Sequence, residues 1–294
     1  MRLRQKSEPG RKLKALFFCS DKAQTNDNYQ RLPRAFEQAN WEVEVESPST
    51  LSIANLEIIS GNSSINEFDL IWPIGFGERG NFLDRIQILS LCPQEKLITS
   101  PSSWLLLHGK ASWLKHCPLS FVSSEAEVLI DFMKQHGGQW VLKPNAGSYG
   151  RDLSFIQDEK QGTKQILESC SASDDFFILQ RFLPEIQDGE LRCFCVDGTI
   201  IGQYLKVPKD DIRSNIFSGA SIKKATISKE QEETIQAISQ DLASHKVGFA
   251  AIDMVGSTLM EVNIANPGGL ESLETLYNHD FSINIASTIS ERFT

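Results

Sequence analysis

The stretch Phe249-Ala-Ala-Ile-Asp253-Met-Val-Gly256-Ser-Thr258-Leu-Met-Glu261-Val-Asn263 joins two apolar strands through a turn and carries three oxygen-bearing side chains. Apolar residues flank Asp253 on both sides, so covering both faces of the hairpin would carry its carboxylate inward. The plainer alternative is an exposed hairpin whose polar residues face water. Register decides whether the acids meet, because opposed residues of an antiparallel pair have a constant sum of numbers. A three-residue loop over 256–258 pairs Val255 with Leu259, Asp253 with Glu261 and Ala251 with Asn263. A two-residue loop puts the two acids on opposite faces. Opposed carboxylates repel unless something neutralises them. A hard cation that also carries phosphate oxygens suits two carboxylates and an amide oxygen.

Cationic groups stand upstream. Val141-Leu-Lys143-Pro144 ends an apolar strand with a lysine, directly before Asn145-Ala-Gly147-Ser148-Tyr149-Gly150. Such a loop lets backbone N–H groups approach phosphate while the lysine supplies a point charge. Loops with two glycines are common, and no Gly-Lys-Ser/Thr ends this one, so it is not a Walker motif. Lys110, inside a helix-like 102–116, reads by itself as a solvated side chain. Phe177-Ile-Leu-Gln180-Arg181-Phe182-Leu183-Pro184 is apolar enough to wall an adenine, with backbone groups at 181–183 free to bond its edge. A core strand entering a turn is the plainer reading. Glu190-Leu-Arg192 alternates, placing Arg192 on the face of Phe194 and aiming it at an anion or a partner. Arg213-Ser-Asn215 offers a cation and an amide to a phosphoryl group or carboxylate.

The elements that must hold these groups alternate between strand and helix. Strands are expected at 13–19, 41–45, 67–72 and 97–99, and helices at 29–40 and 82–91. This pattern describes a doubly wound parallel-sheet lobe over 12–100, with no Gly-x-Gly-x-x-Gly after its first strand and so no dinucleotide site. Beyond it, 139–143, 153–156, 176–180, 191–196 and 200–207 are β-rich. A helix over 228–246 opens on the Ser228/Gln231 capping box and has Gly248 beyond its end.

Composition narrows the class. The 294 residues are 40% hydrophobic and 23% charged, ordinary for a globular chain, and their number suits two or three lobes. No apolar run approaches the roughly 18 residues of a bilayer span. Residues 1–11 read as a basic flexible tail with no signal-type apolar stretch after it, which points to the cytoplasm and no membrane partner. A net charge of −9 argues against nucleic acid as the main partner. Six scattered cysteines, without Cys-x-x-Cys spacing, read as reduced and partly buried thiols; Cys193 and Cys195 share one strand face.

Taken in order, these segments resemble the ATP-grasp superfamily, and their wording is similar to bacterial-type glutathione synthetase. The specific matches are Gln180-Arg-Phe-Leu-Pro-Glu-Ile-Gln-Asp-Gly-Glu-Leu-Arg192, Val196-Asp-Gly198 and Asp253…Glu261-Val-Asn263. Arg213-Ser-Asn215 and Met260-Glu-Val-Asn263 with Pro267-Gly268 are similar to the ribosomal-protein glutamate ligases. The resemblance covers roughly 100–294 well and the first hundred residues poorly. It implies an α/β (α+β) ATP-grasp fold: an N-terminal doubly wound lobe, then an ATP-grasp domain over 101–294 whose two α+β lobes sandwich ATP, with a small lid lobe about 118–180. It implies an ATP-dependent carboxylate–amine ligase acting through an acyl phosphate on small-molecule substrates, with Mg²⁺ or alternatively Mn²⁺. γ-Glutamylcysteine plus glycine is the first choice of substrates. A glutamate-ligase-type enzyme acting on a protein tail or another metabolite is the second, and a nucleotide-binding protein with a degenerate site the third. A homo-oligomer is compatible with all three.

Carried over residue by residue, the resemblance assigns Lys110 and Lys143 to the ATP phosphates, and Gly147, Ser148, Tyr149 and Gly150 to a loop over them. Gln180, Arg181, Phe182 and Leu183 would frame the adenine, and Glu190 would hold the ribose. Arg192 and Lys206 would face the phosphate chain, and Arg213 and Asn215 the transferring phosphoryl group. Asp253, Glu261 and Asn263 would ligate the metal. Two family arginines lack counterparts. Gly219-Ala-Ser221, followed by Lys223 and Lys224, stands where one is expected. Trp72-Pro-Ile-Gly-Phe-Gly-Glu-Arg79 stands where the other is, with Arg79 or Arg85 as substitutes.

Overall fold

A computed structural model describes residues 11–19, 27–75, 77–145, 153–209 and 220–293. The first half is built on β1 (Lys14–Cys19), α1 (Asn28–Gln38), β2 (Glu42–Glu46), β3 (Leu51–Ala54), β4 (Glu57–Ser60), β5 (Ser63–Ser64), β6 (Leu70–Ile74), α2 (Phe82–Ser90) and α3 (Pro101–Leu107). β2, β1 and β6 form a parallel sheet in that order, with β1 central because its KALFFC run is buried on both faces. The expected strand at 97–99 makes only two isolated bridges, Ile71 to Leu97 and Thr99 to Val247. It thereby ties the first half to the second. A small antiparallel sheet, β3-β4-β5, lies where the sequence suggested no strand.

The expected helix over 102–116 is broken. α3 stops at Leu107, and a 3-10 turn, Lys110–His116, starts after Gly109. Asn145 holds that start, accepting from the Lys110 N–H through its carbonyl (3.4 Å) and from the Ala111 N–H through Oδ1 (3.0 Å). Lys110 is thus fixed beside the end of a strand rather than left on a helix surface.

Next come β7 (Ser120–Ser123), α4 (Ala126–His136), β8 (Trp140–Pro144), β9 (Ser154–Ile156), α5 (Glu159–Ala172) and β10 (Phe177–Arg181). They make a four-stranded antiparallel sheet, ordered β7-β10-β8-β9, whose apolar face packs on α4 and α5 through Leu129, Met133, Trp140, Ile166 and Leu179.

The last part comprises β11 (Glu190–Val196), β12 (Thr199–Val207), β13 (Ser221–Lys224), α6 (Lys229–Ser244), β14 (Phe249–Val255), β15 (Thr258–Asn263), α7 (Leu270–Tyr277) and α8 (Phe281–Ser290). Its five strands are antiparallel in the order β13-β12-β11-β14-β15. Leu191, Cys193, Cys195, Ile252 and Met254 bury against Ile235, Ile238 and Leu242 of α6. The opposite face of this sheet joins Phe17, Phe36 and Trp72 of the first sheet and Ile285 and Ile289 of α8 in one core.

Candidate functional site

The β14–β15 hairpin places Asp253 directly opposite Glu261, and Ala251 opposite Asn263. The turn is not the expected three-residue loop. Val255 pairs with Thr258 across a two-residue turn at Gly256 (φ +54°) and Ser257. A register shift between Asp253 and Met254 then leaves Met260 as an extra residue. This bulge restores the pairing that a regular two-residue hairpin would have broken.

Register carries the polar face further. Lys224, Tyr204, Arg192, Asp253 and Glu261 oppose one another in turn across all five strands, and so share one face. Lys206 and Glu190 form the adjoining row. The other face is the apolar one packed on α6, so one strand period explains both surfaces.

Charge on this face is densely paired. Arg192 grips Asp253 with two parallel bonds, Nε to Oδ1 at 2.8 Å and Nη2 to Oδ2 at 2.6 Å, while Nη1 donates to the Gly268 carbonyl at 2.7 Å. Lys206 Nζ lies 2.5 Å from Glu190 Oε2 and 3.3 Å from Asp253 Oδ2. Lys110 Nζ meets Glu261 Oε1 at 3.0 Å. Asp253 and Lys206 are only 2% and 4% exposed. Burial opposes the Asp253 carboxylate, but the charges and hydrogen bonds of Arg192 and Lys206 win and hold it at about 2. Burial likewise opposes the Arg192 charge, and Asp253 reverses that, raising it well above its ordinary range.

Lys143 approaches from the other sheet. Its ammonium donates to Gln180 Oε1 at 2.9 Å, and Gln180 Nε2 donates to Ser120 Oγ at 3.1 Å. Burial lowers the Lys143 pKa, Glu261 opposes that, and Lys110 adds to it. Arg192 and Lys206 thus stand on the same sheet as Glu190, Asp253 and Glu261, while Lys143 of β8 and Lys110 of the 3-10 turn reach these groups from outside it. Four cations against three anions leave an excess of one positive charge, suited to a polyanion. Among the described residues, no three His, Cys, Asp or Glu side chains gather as a metal site by themselves. Two carboxylates and an amide oxygen form the hard set that shares an ion with phosphate oxygens, and in that sense they fit a divalent ion.

Other expected residues stand elsewhere. The Arg181 guanidinium lies 4.1 Å over the Trp140 ring and donates to the His136 and Gly137 carbonyls, away from the charged face. The Arg181 and Phe182 N–H groups, expected to be free, already donate to the Leu119 and Gln139 carbonyls. Strand ends need their backbone groups satisfied locally, which removes them as adenine contacts. Phe182 itself packs on Phe155 at 4.7 Å. Leu183 follows β10, and its carbonyl accepts from the Ile186 N–H. Lys223 and Lys224, being consecutive in β13, point to opposite faces; Lys224 sits 5.0 Å over the Tyr277 ring. Gly147, Ser148, Tyr149, Gly150, Arg213, Asn215 and the Arg79 side chain lie outside the described residues.

Two contributors had no signal in the spacing. Asn28 Nδ2 donates to Asn266 Oδ1 (2.8 Å) and the Pro267 carbonyl (2.9 Å), and the Gly75 N–H donates to the Ala265 carbonyl (3.1 Å). With Arg192 on Gly268, these bonds clamp the segment just beyond Asn263. Asn145 was legible only as part of a loop.

The model of the prokaryotic glutathione synthetase ATP-grasp domain matches residues 109–278. This chain belongs to that family. The glutathione synthetase of Prochlorococcus marinus subsp. pastoris is 27% identical over 237 residues, 76% of each chain. Among solved structures, a D-cycloserine synthetase superposes with a TM-score of 0.72 at 16% identity, covering 96% of this chain and 100% of that one. The ATP-grasp ligase PsnB, complexed with a minimal precursor, gives 0.70 at 15% identity, covering 96% and 99%. These two show the ATP-grasp fold. As a glutathione synthetase-like ATP-grasp protein, the chain is an ATP-dependent ligase that forms C–N bonds between small molecules with the help of a divalent metal ion. No helix among its described residues is long and apolar enough to cross a membrane.

Proposed function

We propose that this ligase joins γ-glutamylcysteine to glycine and that its divalent ion is Mg²⁺. The observation supporting this reading is the row Arg192–Asp253–Glu261, on which Lys206 of the same sheet, Lys143 of β8 and Lys110 of the 3-10 turn converge. The relative from Prochlorococcus marinus carries the name glutathione synthetase, and the substrates proposed here follow that name.

In this reading the substrate carboxylate attacks the γ-phosphorus of ATP, the bond to the β–γ bridging oxygen breaks, and ADP leaves. The amine nitrogen then attacks the acyl carbon, inorganic phosphate leaves and the nitrogen loses a proton. Lys110, Lys143, Lys206 and Arg192 hold phosphate oxygens, and positioned charge is what phosphoryl transfer chiefly requires. Asp253, Glu261 and Asn263 hold the ion, which when bound spreads the charge of the phosphate oxygens. The resemblance assigns 147–150 to the phosphates, Arg213 and Asn215 to the transferring group and Glu190 to the ribose; of the four residues it sets around the adenine, Gln180 and Leu183 are retained here. Residues 12–100 are read as an N-terminal domain, 101–294 as the ATP-grasp domain, and about 118–180 as its lid.

ADP release measured against a matrix of carboxylates and amines tests the substrates. The proposal expects release only when γ-glutamylcysteine and glycine are both present. Release with glutamate and a protein tail instead would move the chain to a glutamate-ligase activity. ATP binding without turnover on any pair would refute catalysis.

A further inference from the structure

One polar group on the charged face takes no part in the chemistry above. Tyr204 of β12 is 0% exposed, and its ring packs in the core that holds Phe194, Leu270 and Leu273. Its hydroxyl is buried and has no hydrogen-bond partner among the described residues. Phenylalanine would fill the same space without stranding a polar atom, and a stranded buried polar atom destabilises the fold. A hydroxyl at this position points to a bond made in another state of the site.

Arg192 identifies that state. Tyr204 and Arg192 are direct partners across β12 and β11, and Asp253 is next in the row. A Cβ on Gly269 (φ +97°) would collide with Tyr204 Oη and stand 3.7 Å from Arg192 Nη1, so both groups lie beneath the same glycine. That Nη1 donates to the Gly268 carbonyl at 2.7 Å. The opposite edge of the guanidinium, Nε and Nη2, is bonded to the two oxygens of Asp253 at 2.8 and 2.6 Å. Lys206 Nζ stands 3.3 Å from Asp253 Oδ2 as well. A carboxylate enclosed in this way has few lone pairs left for a divalent ion, and the two neighbouring cations repel one. An ion on Asp253 therefore displaces that edge of Arg192. A buried guanidinium that loses two bonds needs others, because it keeps its charge. Phosphate oxygens can take the Nε and Nη2 edge. At the Nη1 corner the acceptor to hand is the phenol oxygen, which offers lone pairs. Burial raises the Tyr204 pKa while Arg192 and Lys206 oppose that rise, and the balance favours the neutral phenol.

We propose that Tyr204 is a positioning residue for Arg192. As Asp253 passes from Arg192 to the divalent ion, the phenol oxygen accepts a bond from Nη1. With the Gly268 carbonyl it then anchors the guanidinium while the other edge turns to phosphate. The proposal rests on the assignment of Asp253 to the ion and is independent of which substrates are joined.

Calorimetric titration of the full chain with ADP, without and with Mg²⁺, separates the two states. Tyr204→Phe removes an oxygen that has no bond in the metal-free protein. Its urea midpoint should not fall, and its ADP affinity without metal should equal that of wild type. With Mg²⁺ present its ADP affinity should be about tenfold weaker than wild type, the worth of one hydrogen bond to a charged group. With 3-fluorotyrosine placed at 204, the fluorine resonance should move when Mg²⁺ joins ADP and stay in place with ADP alone. Equal affinities in the presence of Mg²⁺, or a resonance indifferent to Mg²⁺, would overturn the proposal. A lower urea midpoint or a weaker metal-free affinity would mark the hydroxyl as structural and overturn it too. The metal assignment fails in a different way: Mg²⁺ would leave the wild-type affinity for ADP unchanged, or Glu261→Gln would keep the full Mg²⁺ effect. Either result would remove the ion from this row and the proposal with it.

Discussion

Asp253 shows how a buried charge is made tolerable. Both of its oxygens are engaged by Arg192, and Lys206 adds a third contact. Its folded pKa, about 2, lies below the ordinary 3.8, so its contribution to stability is full above about pH 4 and fades as pH falls towards 2. Asp253→Asn would strand Arg192 and Lys206 without a full counter-charge, a loss of about 3–5 kcal/mol at neutral pH. Urea unfolding of metal-free protein should show the gap between wild type and variant narrowing between about pH 4 and 2. A gap constant across that window would mean the carboxylate is not held by these cations. Glu261 differs, because it is about one-third exposed and bonded to a single lysine. Glu261→Gln should therefore leave the unfolding midpoint nearly unchanged, while ADP release falls roughly 10²-fold, as when one charge-stabilising group is lost. Near-normal turnover would contradict its assignment to the metal.

At the scale of elements, the strand period was legible and its irregularities were not. Alternation alone placed Arg192 with Phe194 and the two cysteines opposite, and the structure puts Cys193 and Cys195 against α6. The capping box at Ser228 and Gln231 marked the start of α6 correctly. The pairing of Asp253 with Glu261 was inferred from a three-residue loop, yet it arises from a two-residue turn plus a bulge. Nothing in the residue types distinguishes those solutions, because Gly256 suits both. The break between α3 and Lys110 was hidden for a related reason: its cause, Asn145, is 35 residues away in sequence. Glycine at 189 is the clearest element-level requirement. Its φ is +123°, and a Cβ would stand 2.6 Å from Leu205 Cγ, at the turn that launches β11 into Glu190. Gly189→Ala should cost about 1–3 kcal/mol. Because Glu190 and its partner Lys206 would shift, the KM for ATP should rise more than that for the amine. Equal changes in the two constants would mean that the strand start does not face nucleotide.

The whole molecule raises the question of how the first sheet is held against the ligase core. Part of the answer is apolar: Trp72 meets Phe249 edge-on at 6.0 Å, and Trp41 packs on Phe293 at 5.2 Å. Non-directional contacts of this kind do not fix a position to a fraction of an ångström, whereas hydrogen bonds do. Asn28 supplies such bonds from the start of α1, donating to Asn266 Oδ1 and the Pro267 carbonyl while itself only 1% exposed. These acceptors lie between Asn263 and Gly268, the latter gripped by Arg192. One short segment is thus pulled from both sides, and its position sets the distance between the first sheet and the charged face. Asn28→Ala should leave buried acceptors short of a donor and cost about 1–3 kcal/mol in urea unfolding. Because Lys143 comes from β8, Lys206 from β12 and Lys110 from the 3-10 turn, none of them on the first sheet, affinity for a non-hydrolysable ATP analogue should change little. The KM for the carboxylate should instead rise several-fold, since the first sheet would lose its fixed approach to Asn263. A variant that loses nucleotide affinity and keeps its carboxylate KM would show that the clamp serves the phosphate site and that the first sheet does not position the substrate.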